Sequence, residues 1–191
     1  MSQQTVLLTG ATGFMGSHLL EALLKQDYRV VILKRSTSDT WRIAHLLDQV
    51  ISYDVDLVEL ELAFEEQEID LVVHLATLYR KFEESTDIDG MLRTNVSFPS
   101  QLLYSAMRHE VKGFINTGTF FEYDCSKLPI DEKAALKPFN FYAQTKLAFE
   151  NILKGYAEKI PSITLKLFSP YGEKDNQKLI PEPLAKEHAK S

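Results

Sequence analysis

Two tyrosine–lysine pairs at a spacing of four residues stand out as candidates for chemistry: Tyr123 with Lys127 in "FINTGTFFEYDCSK", and Tyr142 with Lys146 in "FYAQTK". A phenol beside an ammonium is an acid/base pair suited to redox chemistry at a carbonyl, because the cation eases proton loss from the phenol. Context separates the two. Tyr142 and Lys146 fall in "FNFYAQTKLAFENILKGYAEK", an amphipathic pattern preceded by "KPFN". On a helix, residues four apart share one face, so the Lys146 ammonium is expected near the Tyr142 phenol, lowering its pKa. Tyr123 and Lys127 sit in "EYDCSKLP", among turn formers with Pro129 behind, which reads as a surface loop.

The elements that must position such a pair alternate along the chain. Short β-branched runs at 5–8, 29–33, 50–52, 70–76, 113–116 and 163–168 are separated by amphipathic stretches at 14–26, 86–110 and 139–159. That alternation predicts an α/β fold, a doubly wound parallel sheet with helices on both faces in three layers, the Rossmann arrangement. In "DLVELELAF" (56–64), Val58, Leu60, Leu62 and Phe64 alternate with period two, yet a helix is expected there, since parallel strands on either side need a crossover. Pro99 falls inside 86–110 and should kink or interrupt that helix.

After the first strand comes "LLTGATGFMGSHLLEALL", with Gly10, Gly13 and Gly16 at the opening of the first helix. Glycine permits the tight turn, lets the backbone approach a pyrophosphate and allows close helix–strand packing. The free N–H groups at the helix start then face the phosphates, so Gly10, Thr12, Gly13, Phe14, Met15 and Gly16 are the expected cradle of a dinucleotide. The second strand ends in "VVILKRSTSD", where an acid would accept from the ribose of NAD. Lys34, Arg35 and Ser36 stand there instead, and two cations with a hydroxyl suit a 2′-phosphate, so NADP is expected over NAD.

Composition narrows the classes. The 191 residues fit one domain with a substantial core, and a net charge of -6 argues against nucleic acid or an anionic membrane as the main partner. Cys125 is the single cysteine, so no internal disulfide forms, and neither it nor the scattered histidines have metal-ligand spacing. His74 reads as a strand-end residue with its ring satisfied locally. The start "MSQQTVLLTG" lacks a signal-peptide pattern and no run reaches transmembrane length, which together predict a soluble cytoplasmic protein.

"TGATGFMG", "VVHLAT" at 72–77, Asn95 in "TNVSFPS" and "YAQTK" together resemble the extended short-chain dehydrogenase/reductases, the NAD(P)-dependent epimerase/dehydratase group acting on nucleotide sugars. The resemblance runs from residue 5 to about 172, making 1–172 the cofactor-binding domain with the catalytic residues and 173–191 a polar tail. It implies that Asp54 and Val55 flank the adenine, that Leu75, Ala76 and Thr77 line the cofactor, and that Asn95 supports the active-site helix. It makes Tyr142 the acid/base and Lys146 its partner, reaching the cofactor ribose. Aligning "NTGTFFEYD" on Tyr123 gives Thr119 the hydroxyl that bonds the substrate oxygen, with Thr117 just before it, and Tyr123 a non-catalytic place.

Where dehydratases of that group carry Thr-Asp-Glu, this chain has Thr119-Phe120-Phe121, and phenylalanine cannot move the protons that elimination needs. The resemblance then leaves a reductase of a 4-keto-deoxyhexose on a nucleotide, most similar to the CDP-abequose synthase type, or an epimerase; a non-catalytic NADP-binding module is the alternative outside enzymes. It also implies a homodimer through the helices at 86–110 and 139–159, and a substrate-binding lobe beyond "LFSPYG", of which this sequence, ending at Ser191, holds little. Lys166 and Ser169 stand where arginine and asparagine are more usual in the family.

Overall fold

Six short apolar runs pair into one all-parallel sheet in the order β3-β2-β1-β4-β5-β6. The strands are β1 Thr5–Thr9, β2 Arg29–Lys34, β3 Ile51–Asp54, β4 Leu71–His74, β5 Gly113–Thr119 and β6 Ser162–Leu167. The computed structural model describes residues 3–126 and 128–175. Successive side chains on each strand point to opposite faces, and two cores result. Leu7, Val31, Leu33, Val72 and Phe114 pack with one set of helical residues, and Val6, Leu8, Val30, Ile32 and Val73 with another.

The first core is closed by α2 (Leu62–Glu66), α4 (Phe98–Arg108) and α5 (Phe141–Gly155), through Phe64, Leu102, Leu103, Phe149 and Leu153. The second is closed by α1 (Phe14–Lys25) and the 3-10 helix Ala44–Gln49, through Leu20 and Leu46. Helices thus cover both faces, the expected three-layer Rossmann arrangement. The strand order reverses between β1 and β4, and in open α/β sheets ligands bind outside the carboxyl ends of the strands at such a switch point.

The two doubtful stretches resolve differently. Of 56–64, only the end becomes helix, in the five-residue α2; Leu57 and Val58 N–H groups instead turn back onto the Asp54 carbonyl, at 2.8 and 3.0 Å. The alternating Leu60, Leu62 and Phe64 all reach the core from a tight turn and one helical coil, so the crossover exists with little helix.

The stretch 86–110 is helical but not uniform. A 3-10 turn Ser85–Asp87 leads into α3 (Ile88–Leu92), then a π turn Arg93–Ser97, then α4. Pro99 occupies the first turn of α4, where it has no N–H to give the Asn95 carbonyl, and the wider π turn absorbs that missing bond. The expected interruption is this π turn. Helix α5 begins later than 139 because Asn140 caps it, its side chain accepting from Ala143 N–H at 3.0 Å.

Candidate active site

The glycine turn links β1 to α1 at the switch point. Gly10 has φ +73°, a left-handed conformation suited to glycine, and a Cβ there would lie 2.7 Å from the Ala76 nitrogen. A Cβ on Gly16 would lie 2.0 Å from the Gly10 carbonyl oxygen. Gly13 N–H closes the turn on that same oxygen at 3.0 Å, and α1 starts with no side-chain cap. Thr12, Phe14 and Met15 lie in this turn and first coil, so the expected cradle is assembled as a unit, with the helix N-terminus facing it. The backbone is packed tightly at these glycines, and the uncapped N–H groups at the start of α1 fit a bound pyrophosphate.

Thr9, which sequence reasoning passed over, fixes the opposite wall. Its hydroxyl oxygen accepts from Leu75 N–H (3.2 Å) and Ala76 N–H (3.1 Å) and stands 2.8 Å from His74 Nδ1. With two N–H groups donating to it, the hydroxyl hydrogen serves Nδ1, which places the ring proton on Nε2. Burial holds the His74 imidazole well below its ordinary pKa, and neutral. Its Nε2 has no partner, so the expectation of a locally satisfied ring holds for one nitrogen only. Thr117 on β5 donates to the His74 carbonyl at 3.1 Å, so it braces the strand end under the site.

Asn95, fully buried in the π turn, joins three elements. Its oxygen accepts from Leu78 N–H (2.8 Å) and the Thr77 hydroxyl (3.0 Å); its amide donates to the Leu78 carbonyl (3.0 Å) and Thr145 Oγ1 (3.0 Å). Thr145 in turn donates to the Tyr142 carbonyl at 2.7 Å. The loop after β4 and the first turn of α5 are thereby held together through Asn95.

Tyr142 and Lys146 are both buried on α5. The ring of Tyr79 meets Tyr142 edge-on at 4.9 Å. Burial pushes the phenol above its ordinary pKa, against the neighbouring Thr77 hydroxyl, which lowers it. The lowered phenol expected from Lys146 is therefore not what this arrangement produces: burial sets the direction, and the Glu122 charge adds to it. Burial likewise brings the Lys146 ammonium down to about 8, with the charge of Glu122 opposing the shift. Its Nζ has no hydrogen-bond partner, an orphaned buried cation that a ribose hydroxyl would satisfy. The glycine turn and the unpartnered Lys146 ammonium thus fit the pyrophosphate and a ribose of a nicotinamide dinucleotide.

Thr119, at the end of β5, begins a 3-10 turn, Phe120–Glu122, in a reciprocal cap. Its Oγ1 accepts from Phe121 N–H at 3.3 Å, while its own N–H donates to Glu122 Oε1 at 2.8 Å. Among the described residues, the Thr119 hydroxyl accepts but gives no hydrogen bond. Glu122 is fully buried, ion-paired with Lys166 of β6, which also pairs with Glu150 of α5. Burial raises the Glu122 carboxyl above its usual range, and its charge acts on both Tyr142 and Lys146. Glu122, Glu150 and Thr145 were not singled out in the sequence, where a lone Glu or Thr on a helix carries no signal. The side chains of Phe120 and Phe121 stack in a row with Phe168 and Phe139 beside them.

At the carboxyl ends of β2 and β3, the residues expected to grip a 2′-phosphate already have partners. Lys34 pairs with Asp54 across the rung that joins the strands, and Val55 N–H bonds the Lys34 carbonyl at 2.9 Å. Ser36 donates its N–H and its hydroxyl to Asp56, at 2.7 and 2.6 Å. Arg35 is exposed beside them.

Tyr123 is buried rather than in a surface loop, bridged to Leu136, with Lys166 Nζ 5.7 Å from its ring centre; it is a packing residue. Lys127 lies outside the described residues, as does most of the tail 173–191. The described part of that tail turns back on α1, His18 Nε2 meeting the Glu173 carbonyl at 2.8 Å. Cys125 is exposed. Among the described residues there is no cluster of His, Cys, Asp and Glu that could hold a metal, and no helix long and apolar enough to cross a membrane.

Known proteins share both sequence and fold with this chain. CDP-abequose synthase of Salmonella muenchen is 31% identical over 189 residues, covering 95% of this chain and 58% of that protein. UDP-glucose 4-epimerase uge1 of Schizosaccharomyces pombe is 28% identical over 197 residues, covering 94% and 55%. Among solved structures, the Bordetella bronchiseptica enzyme WbmG in complex with NAD and UDP superposes with a TM-score of 0.82 at 25% identity, covering 100% of this chain and 61% of that one. UDP-glucuronic acid 4-epimerase from Bacillus cereus in complex with NAD gives 0.77 at 27% identity, covering 91% and 59%. The chain therefore spans under two thirds of the length of these relatives. The sequence profile of the NAD dependent epimerase/dehydratase family matches residues 6–190. With the glycine turn, the buried Tyr142–Lys146 pair and the strand order all in place, the chain belongs to that family.

Proposed function

We propose that the chain carries the cofactor half and the acid/base machinery of an oxidoreductase that reduces a 4-keto-deoxyhexose on a nucleoside diphosphate. The observation that carries this reading is the orphaned, fully buried Lys146 ammonium one helical turn from Tyr142, on the helix that Asn95 fastens to the cofactor wall. A nicotinamide, when bound, supplies or accepts hydride. Tyr142 holds a proton at its phenol oxygen and hands it to the substrate oxygen as that oxygen gains charge. Thr119 donates to the same oxygen and orients the carbonyl. Lys146 binds the ribose hydroxyls, and the walls of Tyr79, Phe120 and Phe121 keep water from the reacting centre. Phe120 and Phe121, which carry no transferable proton, support reduction rather than dehydration.

A second reading, a nucleotide-sugar 4-epimerase, is favoured by the similarity to epimerases whose solved structures contain NAD. Lys34 and Ser36 already have acidic partners, which leaves the NADP expectation only Arg35 and favours NAD, the cofactor in the solved structures of the similar epimerases. In either reading a homodimer would use α3, α4 and α5, where Leu92 and Tyr104 are exposed. The decisive measurement is oxidation of NADPH and NADH with CDP-, dTDP-, GDP- and UDP-4-keto-6-deoxyhexoses. Tyr142→Phe should lower kcat at least about 100-fold; full turnover by that variant would overturn the assignment. Sugar interconversion without net cofactor oxidation would select the epimerase.

A further inference from the structure

The end of β2 lacks the acid that would accept from the adenosine ribose of NAD, yet an acid stands there in space. Asp56, from the turn after β3, receives both the backbone N–H and the hydroxyl of Ser36, at 2.7 and 2.6 Å. Two donors from one residue fix the carboxylate in orientation as well as position. Those bonds hold Asp56 ionised, its pKa below the usual carboxylate range, with Arg35 adding a smaller pull. The strand ends beneath are locked by the Lys34–Asp54 pair and the bond from Val55 N–H to the Lys34 carbonyl. The corner thus holds two acids beside its two cations: Asp54 is ion-paired with Lys34, and Asp56 is bonded to Ser36 with Arg35 nearby.

We infer that Asp56 is a specificity-determining residue, supplied from the β3 turn, which excludes a 2′-phosphate and makes the adenosine end selective for NAD(H). The inference rests on the glycine turn being a dinucleotide site. A 2′-phosphate at this corner would need the two Ser36 donors, which already serve a carboxylate, and would set a second anion against Asp56. Like charges brought together discriminate strongly between partners. A free 2′-hydroxyl meets no such cost. The Asp56 carboxylate has acceptor sites beyond the two Ser36 fills, so the ribose hydroxyl can donate to it. Of the pair read along the chain as a phosphate grip, Lys34 is held by Asp54, 20 residues further on, and exposed Arg35 lies where the Asp56 charge is felt.

The test is a binding titration that needs no turnover: dissociation constants of NADH and NADPH for the wild-type chain, Asp56→Ala and Asp56→Asn, followed by nicotinamide fluorescence. Wild type should bind NADH at least about tenfold more tightly. Both variants should tighten NADPH at least about tenfold relative to NADH, and Asp56→Asn, which keeps the size of the side chain and loses its charge, separates charge from shape. A wild-type preference for NADPH, or an affinity ratio unmoved in both variants, would overturn the role of Asp56. Binding of neither dinucleotide to the wild-type chain would overturn the underlying reading of the glycine turn.

Discussion

Asn95 and Thr145 meet at 3.0 Å between the π turn and α5, and the Thr145 hydroxyl passes the contact on to the Tyr142 carbonyl at 2.7 Å. One buried amide thus ties the strand end that would face the cofactor to the helix that bears the acid/base pair. Replacing Asn95 by Ala leaves the Leu78 N–H and carbonyl without partners, which costs about 2–3 kcal/mol. The urea midpoint of Asn95→Ala should fall accordingly, and an unchanged midpoint would show the network to be idle.

Lys146 should weaken the fold it serves. Its folded-state pKa of about 8 lies below the ordinary 10.5, so as pH falls from 10.5 the unfolded chain takes up the proton first. Wild-type stability therefore declines through that window, by up to about 3 kcal/mol, and no further below 8. Lys146→Met escapes the penalty. At pH 7 it should be more stable than wild type and inactive, with the difference closing as pH approaches 10.5 in paired urea titrations.

Lys166 sits between two buried carboxylates, so its loss should cost more than a surface pair would. Lys166→Met leaves Glu122 and Glu150 facing each other and should destabilise by about 3 kcal/mol. Glu122→Gln in the same chain should recover most of that. The deficit of the single variant should also shrink on acidification, because the folded-state pKa of Glu122 is raised and the native form takes up the proton first. A double-mutant cycle with no coupling would contradict the arrangement.

Two glycines should respond oppositely to alanine. At Gly16 the new methyl would strike the Gly10 carbonyl at 2.0 Å, so Gly16→Ala should lose about 2–3 kcal/mol together with dinucleotide binding. At Gly155, in the last turn of α5, nothing lies within 4 Å, and Gly155→Ala should gain about 0.5–1 kcal/mol. Thermal melts of the two variants check both signs.

What the chain announced and what it concealed follow from range. The glycine turn, the strands and the Tyr142–Lys146 spacing are local, and each is carried by neighbours in sequence. The stretch 56–64 is mostly turn where a helix is expected, because a topological need for crossover says nothing of how much of it coils; the Asp54 carbonyl settles that by capturing Leu57 and Val58. The Tyr142 phenol is raised by burial where the spacing to Lys146 predicts a lowered one, and spacing cannot express burial. Glu122 pairs with a lysine 44 residues away and Asp56 with a serine 20 residues back, and no periodicity links such partners. Thr9 looked like the last residue of a strand and proved to be the clasp of the site.

The π turn at Arg93–Ser97 limits how this chain can tolerate a change in length. It spends about one more residue per coil than an α-helix. Deleting a single residue there would let α3 run smoothly into α4, a locally favourable repair, while rotating everything upstream by about 100°. Asn95 would then leave Thr145. The site is thus written partly in residue count, and a one-codon deletion that mends the helix would disconnect it.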